Sequence, residues 1–473
     1  MIGREIEIEK LRELLRSENS EFAAIYGRRR IGKTYLVNEA YGSRYAFHHA
    51  GLKEGGIRRQ LNQFRLSLRQ QGHDGCPALK DWQEAFFELE NFLGRQRDGK
   101  KVIFIDEMPW MDTAKSGFLS ALEGFWNGWA CLRKDIVLVV CGSATSWIVK
   151  NIIRNRDGLY NRVRTRIRLQ PFTLRECELY AERELHLKYS RRDIVEVYMA
   201  FGGVAYYWSL LERGKSPAQN FDALFFGDQD GLRLEYDELY RSLFRHPDKY
   251  MSVVEILRHR RSGFTRDEII AKLGTAGGGD VTRVLGDLEE CGFIRKYLPS
   301  AGAKNGGCYQ LIDNFTLFHF NFVGRNPPRD GDNWSRGLSD QERATWRGFA
   351  FERVCLQHVP QIKAALGISG VHAEVYSWQA KSGDAGEAGA QVDLLLDRRD
   401  GIVNLCEMKY VNGVYAIGKV ESMKLKNRVE SFRKLVSSDK SIHLTLVTPE
   451  GIAKNEYRWD VQSEVTLDDL FRA

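Results

Sequence analysis

The chain has 473 residues, 43% of them hydrophobic, and a net charge of +7, which is too long for one core and too ordinary in composition for a disordered or collagen-like protein, so two to four globular domains are expected. No apolar run approaches ~18 residues and the opening MIGREIEIEKLRELL carries acids where a signal peptide needs a basic start, which argues against a membrane span or a secretory leader and for a cytoplasmic protein. The eight cysteines (76, 131, 141, 177, 291, 308, 355 and 406) are dispersed, with no C-x-x-C pair and no histidine doublet at zinc spacing, so reduced thiols are expected, while the mild excess of basic residues permits a polyanionic partner without requiring one.

The first predicted element is a strand, FAAIYG at 22–27, which runs into GRRRIGKT at 27–34 and then a helix, TYLVNEAY. Strand, G-x-x-x-x-G-K-[ST] and helix together predict a phosphate-binding loop. Gly27 and Gly32 let the backbone turn, so the amides of Gly27, Arg28, Arg29, Arg30, Ile31 and Gly32 and the helix N-terminus face phosphates,. Lys33 is then placed for the β and γ phosphates and Thr34 for Mg²⁺,. KVIFIDEMPW at 101–110 is an apolar run closing on two acids, as a buried parallel strand would,. Asp106 is expected to hold Mg²⁺ through water, and Glu107 to polarise an attacking water, which predicts hydrolysis as well as binding,.

DIVLVVCGSATSW at 135–147 reads as another buried strand; Ser143 at its end is either a γ-phosphate sensor or part of a simple strand exit,. Residues 150–172 carry Lys150 and arginines 154, 156, 162, 164, 166 and 168 against Asp157. That run suits an arginine finger or a DNA-facing surface, while the alternation in RVRTRIRL equally suits an exposed edge strand.

Taken with IGREIEIEKL and FGGVAYYW, these motifs in this order resemble the archaeal-type AAA-like ATPases over about the first 210 residues. The resemblance implies an ASCE-type P-loop fold with Lys33, Thr34, Asp106 and Glu107 in the roles above, and Arg162 as the candidate finger, acting within the subunit or on a neighbour. Ser143 stands where many relatives of the wider AAA class carry Asn.

Residues 248–297 have the layout of three short helices, with Thr265 and Glu268 as a capping box, and 293–313 reads as two strands around a Gly-rich wing,. This predicts a winged helix-turn-helix. Arg283 would enter a major groove, yet Asp280, Asp287, Glu289 and Glu290 share its helix, and such acids favour a protein-interaction or nucleotide-lid role,. Arg258, Arg260, Arg261, Lys296 and Lys304 keep DNA contact open.

GRNPPRDGDNWSRG at 324–337 reads as a linker, and 339–359 as a helix containing Glu352,. After the strand GVHAEVYSWQ and the loop KSGDAGEAGA, residues 391–410 form a predicted hairpin. A three-residue turn at Arg399, Asp400 and Gly401 pairs Arg398 with Ile402, which sets Asp393 opposite Glu407 with Lys409 on the same face,. Two opposed carboxylates repel unless a cation lies between them. A divalent metal on Asp393 and Glu407 answers that, with Lys409 positioning or deprotonating water and Glu352 completing the cluster,. The plainer reading is a hairpin whose charges face solvent. Helix Glu, Asp, then Glu-x-Lys across a hairpin is similar to the PD-(D/E)xK restriction-endonuclease-like fold over about 340–473, although Val392 replaces the Pro of the motif. Lys424, Lys426, Arg428, Arg433 and Lys434 then offer phosphate contacts or a solvated helix face,.

The expected protein is α/β: a P-loop ATPase core at 1–170, a helical lid at 171–244, a winged helix at 245–323, a linker at 324–339 and a nuclease-like domain at 340–473. ATP and Mg²⁺ are the expected cofactors, with Mn²⁺ an alternative at the second site. The expected partners are nucleic acid, DNA before RNA, and a protein or second copy through the ATPase or winged-helix domain, with no membrane. The expected activity is ATP hydrolysis coupled to metal-dependent DNA cleavage; the alternative is an ATP-dependent switch whose nuclease-like domain is an inactive platform.

Overall fold

The computed structural model describes residues 1–53, 55–96, 99–155, 157–227, 231–274, 278–298, 306–324, 334–335, 339–379, 391–434 and 439–472. Arg156, Lys304, the loop 381–390 and most of the expected linker lie outside the described residues. The chain forms two compact units, one of Met1–Pro171 with Leu239–Pro247, the other of Phe172–Glu238 with Asp248–Ala473. Among the described residues no helix is long and apolar enough to cross a membrane.

The first unit is built on strands β1 (Glu21–Tyr26), β2 (Phe47–Ala50), β3 (Lys101–Asp106), β4 (Ile136–Gly142) and β5 (Thr165–Arg168), ordered β2-β3-β4-β1-β5. Every pairing is parallel. Their near-continuous apolar runs are what a sheet covered on both faces requires. Alternate residues divide between two cores: Phe22, Ile103, Ile105, Leu138 and Val140 enter one, and Ala23, Ile25, Phe104, Val137 and Val139 the other. β4 separates the loop strand β1 from the acid strand β3, an arrangement that agrees with the expected P-loop class. β5 is the sheet edge, with Ile167 buried and Arg166 and Arg168 exposed, which accounts for the arginine alternation without a ligand.

In the second unit, helices Leu174–Arg183 and Arg191–Phe201 open on capping boxes at Thr173 and Ser190. Helices Pro247–Leu257, Arg266–Leu273 and Gly278–Glu290 follow, and the box at Thr265 and Glu268 forms as the sequence predicts. Strands β6 (Phe264–Thr265), β7 (Ile294–Tyr297) and β8 (Cys308–Leu311) make a small antiparallel sheet ordered β6-β8-β7. The acids of Gly278–Glu290 are partly spent internally: Asp280 pairs with Lys249 and Arg283, and Asp287 accepts from the Tyr250 hydroxyl at 2.6 Å.

Helix Asp340–Gln357 precedes a mixed sheet of β9 (Ala373–Gln379), β10 (Gln391–Arg398), β11 (Ile402–Met408), β12 (Ser441–Val447) and β13 (Ser463–Val465), ordered β13-β12-β11-β10-β9. Its β9, β10 and β11 are antiparallel, and β11, β12 and β13 parallel. The expected linker is not free throughout. Trp334 is 1% exposed, packs its ring edge against Phe221, Phe322 and Trp346, and donates its backbone N–H to Asp222 at 2.6 Å. A large aromatic surface outweighs the turn-forming composition around it.

Candidate nucleotide and carboxylate sites

The nucleotide site lies where β1, β3 and β4 end. Gly27 has φ of 144° and Gly32 of 89°, conformations glycine adopts at no steric cost. A Cβ on Gly27 would meet the Leu169 carbonyl oxygen at 2.3 Å, so this glycine also lets the loop lie against the chain after β5. Ile31 is buried in the sheet core and offers the loop only its backbone. The Lys33 ammonium donates to the carbonyls of Gly27 and Arg28 at 3.0 and 2.8 Å, folded back on the loop it would leave to reach a phosphate.

Thr34 donates its hydroxyl to Asp106 Oδ2 at 2.6 Å, and Asp106 Oδ1 accepts the backbone N–H of Glu107 at 2.8 Å. A hydroxyl and a carboxylate side by side at the end of the loop are a donor set suited to Mg²⁺, and the loop amides and Lys33 suit a triphosphate. Glu107 itself sits at φ 46°, a left-handed conformation that costs a non-glycine residue about 1–3 kcal/mol. Its carboxylate is fixed by Ser143, whose hydroxyl donates to Oε1 at 2.6 Å and whose N–H donates to Oε2 at 3.3 Å. Ser143 thus contacts the expected water-polarising acid. Arg162 is exposed in the turn before β5, with no ion pair among the described residues.

The second cluster is in the other unit. β10 and β11 pair Leu394 with Cys406 and Asp397 with Val403, the register expected from the Arg399-Asp400-Gly401 turn, but this pairing ends at Leu394, and the register of β10 against β9 shifts between Val392 and Leu395, so it does not carry on to an Asp393–Glu407 pair. The carboxylates do not converge as expected, however. Among the described residues, Glu352, Asp393 and Glu407 are not drawn within 4.8 Å of one another as a trio. Glu407 is held by Arg428 at 2.7 Å and Lys409 at 3.0 Å, and Lys409 also pairs with Glu421 at 2.9 Å. Asp393 accepts from Gln391 Nε2 at 2.6 Å, and Glu352 lies 3.6 Å from Arg261.

Burial, then the nearby Asp393 charge, raises the Glu352 carboxyl well above the usual carboxylate range, as expected for like charges in one low-dielectric site. Burial works to lower the Lys409 amine, but Glu407 and Glu421 outweigh it and hold it above its ordinary value. In this arrangement Lys409 is a cation equipped to position water and not to deprotonate it. Of the basic helix Lys419–Arg433, Arg428 reaches the cluster, whereas Lys426 pairs with Asp460 and Arg433 donates to the Lys440 carbonyl. The pair Glu352 and Asp393 suits a divalent cation once Glu352 gives up the proton its setting favours, while Glu407 would have to exchange its two cationic partners. Gln391, Glu421 and the contact of Arg261 with Glu352 were not singled out from the sequence. Only the register of distant elements brings them to the site.

Residues 1–211 match the model of an ATPase domain predominantly from Archaea. The uncharacterized protein MJECL04 of Methanocaldococcus jannaschii is 29% identical over 370 residues, covering 76% of this chain and 77% of its own. Among solved structures, the Walker-type ATPase PABY2304 of Pyrococcus abyssi aligns with 67% of this chain and 95% of its own at 16% identity and a TM-score of 0.47. The ORC2 protein of Aeropyrum pernix aligns with 76% of this chain and 95% of its own at 14% identity and a TM-score of 0.40. Domain match and loop geometry coincide on the same residues, and the chain from Met1 to Leu211 carries an ATPase domain of archaeal type.

Proposed function

We propose that the protein binds ATP with Mg²⁺, hydrolyses it, and uses the nucleotide state to control a nuclease-like domain acting on DNA. The observation that carries the first half is the hydrogen-bonded chain Thr34, Asp106, Glu107, Ser143 at the mouth of the loop. In this reading Lys33 leaves the loop carbonyls for the β and γ phosphates, and the loop amides bind the rest of the anion. Thr34 and Asp106 would hold the Mg²⁺, which supplies charge neutralisation on the phosphates. Glu107, oriented by Ser143, accepts a hydrogen bond from the attacking water and takes its proton. Arg162, being exposed, is available to the γ-phosphate of a neighbouring copy; sedimentation with and without ATP tests that assembly.

In the second unit the reading is a winged helix at 245–323 followed by a PD-(D/E)xK-like domain at 340–473. Its support is the hairpin register expected from the turn, seen from Leu394–Cys406 to Asp397–Val403, with Glu352 in the same cleft as Asp393. Glu352, Asp393 and Glu407 would hold Mg²⁺ or Mn²⁺, and Lys409 would position the water. Incubation of supercoiled plasmid with the protein and either metal, with and without ATP, tests it beside Lys409→Ala and Lys33→Ala. Loss of cleavage in Lys409→Ala supports a nuclease, and a response to Lys33→Ala supports control by ATP. A second reading, an ATP-dependent switch with an inactive platform, is favoured by the ion pairs that bind Glu407 to Arg428 and Lys409. No cleavage under any condition would select it.

A further inference from the structure

His73, Cys76 and Glu88 form a cluster apart from the nucleotide loop and the carboxylate hairpin. Their ligand atoms all lie within 4.8 Å of one another. His73 and Cys76 stand on the connection between helices Ile57–Gln70 and Trp82–Gly94, and Glu88 on the second helix. A turn in which the Cys76 N–H donates to the His73 carbonyl at 3.0 Å sets the two side chains together. The backbone of Cys76 is pinned again by Arg65, whose Nε donates to its carbonyl at 3.1 Å. The His73 ring stacks on Phe92 with 5.8 Å between centroids and 22° between planes, and its Nε2 lies 2.7 Å from Glu88 Oε2. His73 and Cys76 are buried.

We propose that His73 Nε2, Cys76 Sγ and Glu88 bind one Zn²⁺, with water in a fourth position. Nitrogen, thiolate and carboxylate are the donors that borderline-soft Zn²⁺ accepts together, in a tetrahedron. Its bond lengths of about 2.0–2.3 Å place the ligand atoms about 3.3–3.8 Å apart, so His73 and Glu88 separate by roughly 1 Å to admit the ion. One thiolate and one carboxylate balance the dication, leaving a neutral centre, which suits a largely buried site. Without the metal, burial and then Glu88 raise the Cys76 thiol, while Arg65 and Arg69 act to lower it; the thiol is therefore protonated until the metal displaces its proton. Binding releases the thiol proton to solvent, and the proton held between His73 Nε2 and Glu88 leaves that contact as well, so that the imidazole bound through Nε2 carries its proton on Nδ1. The metal would clamp the 71–81 connection to helix Trp82–Gly94, a structural role separate from ATP chemistry.

The test is calorimetric titration of the metal-stripped full chain with Zn²⁺, beside Cys76→Ser and Glu88→Gln. One equivalent is expected, with a buffer-dependent enthalpy that reports at least one proton released, and loss of that isotherm in Cys76→Ser. Because either variant can disturb folding, the unmutated protein is also titrated with Co²⁺. A thiolate-to-cobalt charge-transfer band with tetrahedral visible absorption supports the site. Absence of that band, or Zn²⁺ binding unchanged in a folded Cys76→Ser protein, overturns it.

Discussion

The guanidinium of Arg261 lies 3.4 Å over the ring centre of Phe349 and 3.6 Å from a carboxylate oxygen of Glu352. Arg261, Glu352 and Asp393 line the same cleft, so a protein cation stands beside the acids that a metal would need. Cation–π stacking and charge attraction both hold it there. Removing a cation from beside two like charges favours any other cation that binds them. Arg261→Ala is therefore expected to strengthen Mn²⁺ binding about tenfold, the factor that ~1.4 kcal/mol of relieved competition gives, read by Mn²⁺ electron paramagnetic resonance. Because the Arg261 side chain is 52% exposed, the substitution should cost less than about 1 kcal/mol of stability. Unchanged Mn²⁺ affinity would show that Arg261 only docks onto Phe349.

Lys33→Ala removes the ammonium that folds onto the carbonyls of Gly27 and Arg28. ATP affinity should fall by at least ~100-fold, since a charge-assisted contact to phosphate in a largely buried site is lost, and fluorescence titration with a labelled nucleotide reads it. Glu107→Gln keeps the size and one of the two hydrogen bonds that Ser143 donates, but not the basicity. It should bind ATP within about threefold of the unmutated protein and turn over ~10²–10⁴ times more slowly. Equal turnover would assign water activation to another group.

Ser143→Ala tests whether orientation of Glu107 matters apart from its charge. The hydroxyl and the N–H of Ser143 grip the two carboxylate oxygens separately, and the variant retains the N–H. The expectation is a roughly tenfold fall in kcat with ATP affinity nearly unchanged. A selective loss of affinity would instead place Ser143 against the nucleotide.

What was legible in the sequence was local. Apolar runs such as VIFI, ending on Asp106 and Glu107, specify buried parallel strands by themselves, and the capping box at Thr265 needs only four residues. The β10–β11 register followed from one tight turn, because side chains alternate rigidly along a strand. What the sequence hid depends on distant elements meeting. Arg261 reads as one of several basic residues until the turn that carries it, between helix Pro247–Leu257 and β6, is set against Asp340–Gln357, and His73 with Cys76 lacks a zinc pattern until Trp82–Gly94 supplies Glu88. The burial of Trp334 is hidden because the Pro, Gly and Asp around it give the stretch a turn-forming composition, and the burial of a single aromatic is a tertiary fact.

His358 supplies a prediction about acid sensitivity. Its ring is buried between helices of the second unit, with Nδ1 at 2.8 Å from the Val354 carbonyl and Nε2 at 3.0 Å from the Leu174 N–H. A carbonyl only accepts and an amide N–H only donates, so the ring is neutral with its proton on Nδ1. Protonating Nε2 would turn it against the Leu174 N–H inside an apolar site, and burial lowers the His358 pKa from 6.5 to about 4. An unfolded chain binds this proton near pH 6.5 and the folded chain near pH 4, so the stabilisation is complete above the higher value. It is lost as pH falls through that window, at up to ~1.4 kcal/mol per pH unit for this one group. Gln in its place can donate to Val354 and accept from Leu174 without titrating. Urea unfolding of the full chain between pH 7.5 and 4.5 should therefore show a shallower loss of stability in His358→Gln than in the unmutated protein. Parallel curves would mean that the imidazole takes up its proton in the folded chain as readily as in the unfolded one, and the Leu174 N–H would then have to lie elsewhere.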